Sequence, residues 1–408
     1  MKNVLKPPVA YGITRRDGLL TLLGSALALA GCGGGGGDGG VASVGGGGTG
    51  SFSAGPITGF GSIILNSNGV RIDDSFASIT DDDGNDMRGK LKLGMLCTVK
   101  ASLVVAARAT AQSIVVNGEL QGRIVGIPNA ILKTFVVLGQ TVKVTGSTVF
   151  DVSLPTGFNG LSNDTIVEVH GVLNPATNTL TATFIERKNS PALFKIQGLA
   201  SNHDGITKKF NIGSIRINYS TTTDVRIIPT DGTLVRVRLT AVLPLAAAPA
   251  EWTATRIRPP ENANEDRDEA EIEGTITAFN SVASFSVNGI AVRTSAATRF
   301  DDGTAGLVVG VRVEVKGRLS GGVLIAERVK IENDNRIENL EFELHGTASN
   351  VTPISFTLTS SGGAAVNVSY TSALISNLVE GRRIEVKGTV LNEPNASTRI
   401  VATRISFE

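Results

Sequence analysis

From Val311 to Gly317 the chain reads VRVEVKG, with valines alternating against Arg312, Glu314 and Lys316. A period of two places the valines on one face of a strand and the charges on the other, which predicts a half-buried strand with its charges toward solvent. The pattern recurs as IVEVHG from Ile166, VRVRL from Val235 and RIEVKG from Arg383. Ahead of each lies another strand-like run built on a glycine: ELQGRIVGI from Glu119, KIQGLASN from Lys195, EIEGTITAF from Glu271 and ELHGTASN from Glu343. Their glycines, Gly122, Gly198, Gly274 and Gly346, follow one another at intervals of 76, 76 and 72 residues. A phenylalanine in a short apolar run comes next in every case: Phe135, Phe210, Phe285 and Phe356. Each charged strand is followed by a closing one, TATFIER, TATRIRP, IAERVKI or VATRISF. Recurrence of this kind marks an internal repeat. Gly55 to Val116 fits as a first, more divergent copy, with GPITGFGSIIL, GMLCTVKA and ATAQSIVV.

The fourth copy is the clearest. IEGTITAF is a first strand, and FSVNGIAV is a hairpin because Asn288-Gly289 suits a type I′ turn. TRF continues the second arm, DDGTAG is a loop, and VRVEVKG and VLIAERVKI complete the unit. About five strands in about 60 residues suit a small closed or nearly closed barrel of OB-like type, its usual helix absent or reduced to one turn. The expected fold is therefore all-β: five tandem small OB-like β-barrel modules at 55–118 (divergent), 119–190, 193–260, 271–332 and 341–408. Residues 261–270, within PPENANEDRDEAE, and ENDNRIEN from Glu332 read as solvated linkers. Modules this small bury little surface alone, so neighbours are expected to pack into a rod of some stiffness.

The opening glycine, the F-x-V-N-G hairpin, the T-x-F run before a loop, the V-G-x-x-V-E-V-K-G strand and the closing A-x-R-V/I together resemble a bacterial domain family of unknown function, DUF5666. Asn288-Gly289, Thr298 to Phe300 and Val309 to Gly317 carry the likeness best. It extends over nearly all of Gly55 to Glu408. The resemblance implies tandem β-modules on secreted or lipid-anchored proteins, and it brings no catalytic residues.

The N-terminal segment has another pattern. Lys2, Lys6, Arg15 and Arg16 precede an apolar run, Gly18 to Ala30, of signal-peptide length and too short to span a bilayer comfortably. The run ends in Leu29-Ala30-Gly31-Cys32, which resembles the lipobox of bacterial lipoproteins. Residues 1–31 are thus expected to be a cleaved lipoprotein signal, with Cys32 the lipidated residue and the lipid bilayer a partner through its acyl chains. Arg15-Arg16 resembles a twin-arginine signal, but Gly18 and Leu20 occupy positions where that signal prefers Phe and Lys, which leaves twin-arginine and general secretion both open. Gly33, where Asp would signal inner-membrane retention, points by resemblance to the outer membrane. Residues 32–54 are glycine-rich and read as a flexible tether.

Composition narrows the function classes. A formal charge of +1 and 5% aromatic residues argue against nucleic acid as a partner. The three histidines lack companions at ligand spacing. His170 and His345 fall at strand positions expected to face solvent, and His203 falls in a turn. Cys97 aligns with the inward Val313, so it reads as a small core residue. In TDDDGNDMRG from Thr80, Asp81, Asp83, Asn85 and Asp86 could offer oxygens to a weak Ca²⁺ site. Gly84 and the missing Glu break the EF-hand register, which favours a polar hairpin tip. No phosphate loop, nucleophile elbow or metal motif is present. The sequence therefore predicts a non-catalytic binding array without a cofactor, directed at an envelope protein or extracellular polymer, or alternatively a structural stalk.

Overall fold

Alternation along the sequence becomes strand pairing in the computed structural model, which describes residues 50–66, 69–241, 251–260, 265–332, 340–361, 363, 365–391 and 398–408. The signal segment, Cys32 and most of the glycine tract lie outside the described residues. Among those described there are strands and one 3₁₀ turn, Gly157–Gly160, which sits where the second copy passes from its loop into its charged strand. No helix among them is long and apolar enough to cross a membrane.

Each copy closes a circuit of pairing. In the second copy the opening strand, Leu120–Asn129, runs antiparallel to Thr134–Val137, which pairs with Gln140–Lys143. Gln140–Lys143 lies parallel to the closing strand Thr179–Arg187. The closing strand pairs antiparallel with the charged strand Ile166–Asn174, which returns to the opening strand. The same circuit recurs in the third, fourth and fifth copies. In the first copy the second arm is broken into short strands, with Ile63 bridging Ile72. The turn predicted in the fourth copy is present: Asn288 and Gly289 have φ of 49° and 80°, and Val287 pairs with Ile290 across them. Positive φ at both central residues is what a type I′ turn requires, and its twist matches the strands it joins.

The four repeat phenylalanines, Phe135, Phe210, Phe285 and Phe356, are all buried, as is Cys97. Their surroundings, however, are not five separate cores. One apolar cluster joins the first copy to the fifth, a second joins the second copy to the third, and a third holds the fourth copy with Phe52 of the first.

The expected row of discrete barrels is accordingly corrected. The first strand, Ser51–Phe60, pairs in parallel with the fourth copy through Ser51 to Ala54 and Glu269 to Ile272. The same strand pairs in parallel with the fifth copy through Gly59-Phe60 and Glu343-Leu344. Copies one, four and five thereby share a 17-stranded sheet, and copies two and three a 12-stranded one. The segment boundaries shift for the same reason. Ser51 to Ala54, expected in the tether, and Arg267 to Ala270, expected in the acidic linker, are strand: each pairs within its own copy, and Ser51 and Phe52 pair with Glu269 and Ala270 between copies. An unpaired strand edge in water or against protein is a liability, and pairing removes it.

Candidate functional site

The polar faces of the strands do not all meet water. The residue preceding the repeat glycine is Gln121, Gln197, Glu273 or His345, and all four are buried. So are Glu168, His170, Arg238, Arg312 and Glu314 from the charged strands. The expectation that these positions face solvent is overturned. A half-buried strand needs one wet face only when it stands alone, and here the second face packs on a neighbouring copy.

Buried polar groups need partners, and several of these find them across the seams. Gln121 Nε2 donates to the Leu193 carbonyl at 2.6 Å, joining copies two and three. Lys195 of the third copy donates to Glu168 of the second at 3.1 Å. Burial pushes the Glu168 carboxyl up, but Lys195, His170 and Lys188 outweigh it and hold it at about 2. His170 accepts from the Leu96 N–H of the first copy at 3.3 Å. Burial is the largest influence on its ring and, with Lys195 and Lys188, holds it down at about 4 against the pull of Glu168. At the seam of copies one and five, Arg71 donates to Glu343 at 3.0 Å and lies 2.6 Å from His345 Nε2. His345 Nδ1 meets Glu408, and Lys387 lies 2.8 Å from the other Glu343 oxygen. Glu343, His345 and Glu385 are close enough together to be a metal-capable trio. Arg71 and Lys387 already claim the Glu343 oxygens, and both imidazole nitrogens of His345 are engaged, so the trio fits a charged seam better than a cation.

A dense concentration of charge lies between the first and third copies. The third copy's charged and closing strands, Leu234–Thr240 and Glu251–Arg258, are antiparallel neighbours. Their register sets Arg236 opposite Arg258 and Arg238 opposite Arg256. With Arg226 these line a cleft of ≈ 440 Å³, together with Thr80, Asp81, Asp82, Gly84, Pro259 and Pro260. Into it the first copy's turn inserts Asp82, which pairs with Arg236 at 2.5 Å, with Arg238, and with Lys195 at 3.4 Å. Asp83 accepts from Arg256 at 2.6 Å and from Arg238 at 3.3 Å. Behind these arginines Asp224 pairs with Arg258 at 2.8 Å, Arg256 at 3.1 Å and Arg226 at 3.2 Å. Burial pushes the Asp82 carboxyl up, yet Arg236, Lys195 and Arg238 together hold it at about 2. The Asp224 carboxyl is held down mainly by its hydrogen bond from Arg258. The cleft's lining includes neither histidine nor cysteine. A guanidinium stays cationic at neutral pH, which suits the cleft to holding an anion.

The residues singled out for Ca²⁺ divide among other tasks. The Asp81 carboxylate accepts from the Asp83 and Asn85 backbone N–H groups at 2.9 and 2.8 Å and from the Asn85 side chain at 2.8 Å. Asp86 accepts from the Arg88 N–H at 3.0 Å, and Asp83 turns to the arginines. The turn is an Asp-Gly tip, with Gly84 at φ +88°, and its acidic side docks on the third copy. Sequence reading missed the five arginines. The signal for four of them was present in VRVRL and TATRIRP, which gather Arg where VRVEVKG and IAERVKI interleave Glu with the cations.

Residues 121–186 and 273–330, within the second and fourth copies, match a family described as a domain of unknown function, DUF5666. No curated protein matches the chain. Among solved structures, a deletion mutant of the single-stranded DNA binding protein from Thermus aquaticus is 17% identical with a TM-score of 0.16, covering 34% of this chain and 82% of that one. Drosophila Unr CSD456 is 13% identical with a TM-score of 0.13, covering 54% of this chain and 98% of its own.

Proposed function

We propose that this chain, two of whose copies are members of a domain family of unknown function, is a lipid-anchored envelope protein whose five modules act as one non-catalytic binding body. The circuit of strand pairing in each copy has the order of an OB-like barrel, with the interstrand helix reduced to a 3₁₀ turn in the second copy. One observation carries the choice of binding body over stalk. The first strand pairs with both the fourth and the fifth copies, which folds the array back on itself and forfeits the length a spacer needs. Anchoring rests on the sequence: an apolar segment ending at Cys32 and a glycine tract before the folded body. Placement at the outer membrane rests on Gly33.

Small-angle scattering on the Cys32→Ser protein tests the body. A compact unit of this length has a radius of gyration of about 20 Å, to which the tether adds modestly. A value and profile of an extended five-bead chain would restore the stalk. Membrane fractionation tests the anchor: Cys32→Ser should release the protein to the soluble fraction, and retention in the membrane fraction would remove the lipid from the account. Protease treatment of intact and lysed cells then separates a cell-surface partner, such as an extracellular polymer, from a periplasmic one.

A further inference from the structure

The geometry points to a binding site for a tetrahedral oxyanion of the phosphate-monoester class in the arginine-lined cleft between the first and third copies, a reading that rests on the chain's being a binding body. Charge is the first argument. Five arginines stand against Asp81, Asp82, Asp83 and Asp224, and Lys195 is shared with Glu168, so positive charge exceeds negative by one in a partly enclosed space. A phosphate monoester offers three terminal oxygens to these donors, where a diester offers two.

Contact chemistry is the second. Guanidinium forks match carboxylate and phosphate oxygens with paired N–H donors. Asp82 and Asp83 show these forks already holding oxyanions at 2.5 and 2.6 Å. The arginines are held in place by aspartates from two copies, so little ordering remains for a ligand to impose.

The third is access and room. Arg226, its side chain 63% exposed, stands at the mouth. The ≈ 440 Å³ of the cleft accommodates a phosphate with the group it esterifies.

Calorimetric titration of the full chain at fixed ionic strength tests this, with inorganic phosphate, glycerol 3-phosphate and the monoanionic dimethyl phosphate as probes. One equivalent of inorganic phosphate or glycerol 3-phosphate should bind, and dimethyl phosphate should bind at least about tenfold more weakly. Whichever of the first two binds better distinguishes a free ion from an esterified headgroup or sugar, and either result supports the site. Arg258→Gln and Arg226→Gln should each weaken binding by about tenfold. Arg226→Gln, at an exposed side chain, keeps the test valid if Arg258→Gln impairs folding. The proposal is overturned by the absence of both heat and thermal stabilisation beyond that given by matched sodium chloride, by equal binding of dimethyl phosphate, or by binding that neither variant changes. Such a failure in a protein that scatters as a compact body removes this site alone; an extended body removes the binding-body reading as well.

Discussion

His170 of the second copy takes the Leu96 N–H of the first onto its Nδ1 at 3.3 Å, which only an unprotonated nitrogen can do. The ring also hydrogen-bonds the Asn117 backbone, so the neutral tautomer satisfies both neighbours and the imidazolium would set two donors face to face. Its folded value of about 4 lies below the ordinary 6.5. The unfolded chain therefore binds a proton that the folded chain refuses between those values. The stabilisation is complete above pH 6.5 and is lost as the pH falls toward 4, amounting to about 3 kcal/mol. Glu168 and Asp82, both held at about 2, contribute stability above pH 4.5 and lose it below that, toward pH 2. Thermal melts across this range should show a first decline between pH 6.5 and 4 that His170→Gln flattens, and a second at lower pH that it leaves in place. An unchanged first decline in the variant would assign it to other groups.

Gly94 marks a close backbone approach between the same two copies. Its φ is +79°, and a Cβ there would stand 2.3 Å from the Thr183 carbonyl oxygen, while Thr183 Oγ1 donates to the Gly94 carbonyl at 2.6 Å. Gly84 has a similar φ of +88° but open space around it. Gly84→Ala thus reports backbone strain alone, of order 1 kcal/mol. Gly94→Ala adds a steric clash and should cost clearly more in denaturant midpoint. Equal losses would mean that the seam yields without penalty.

Glu273 and Arg312 of the fourth copy form an ion pair with both side chains 2% exposed. Removing one partner strands the other charge, so Glu273→Gln should destabilise by about 3–5 kcal/mol. Glu273→Leu combined with Arg312→Met replaces the pair by apolar volume and should recover most of that loss. Denaturant unfolding of the single and double variants measures both, and a double variant as unstable as the single would show that the pair contributes more than its replaced volume.

Phe210 is fully buried in the cluster that the third copy shares with the second. Phe210→Ala should cost about 3–5 kcal/mol. Because the cluster is shared, that loss should appear as one cooperative transition for both copies, not as early melting of the third. Two separated transitions by calorimetry would show that the copies fold independently.

Strand positions, the repeat phenylalanines and the Asn288-Gly289 turn were legible because each is fixed by residues close in sequence: a period of two, a core aromatic, a dipeptide suited to positive φ. The seams were not. Glu314 or His345 in an alternating strand looks the same whether its face meets water or another copy, and the decision belongs to residues such as Arg71, 274 positions from His345. A clue was available nonetheless. Across the copies the apolar positions repeat their type, while the slot before the repeat glycine reads Gln, Gln, Glu and His. A solvated slot tolerates that variety at random, but here Gln121, Glu273 and His345 each have a specific partner. The arginine cleft was half visible, since the third copy's Arg enrichment could be read, whereas its acidic counterpart came from a turn 154 residues away that read as a loop tip.

The parallel pairing of Ser51 to Ala54 with Glu269 to Ile272, and of Gly59-Phe60 with Glu343-Leu344, also sets a timetable. The first copy off the ribosome is the last to be completed, since its outer edge has no partner until the fourth and fifth copies exist. Distant pairings of this kind form slowly and leave strand edges open to wrong neighbours in the interval. A chain threaded through a membrane pore in extended form spends that interval on the far side, where a holding chaperone would have to guard it. A chain exported already folded would complete the closure in the cytoplasm.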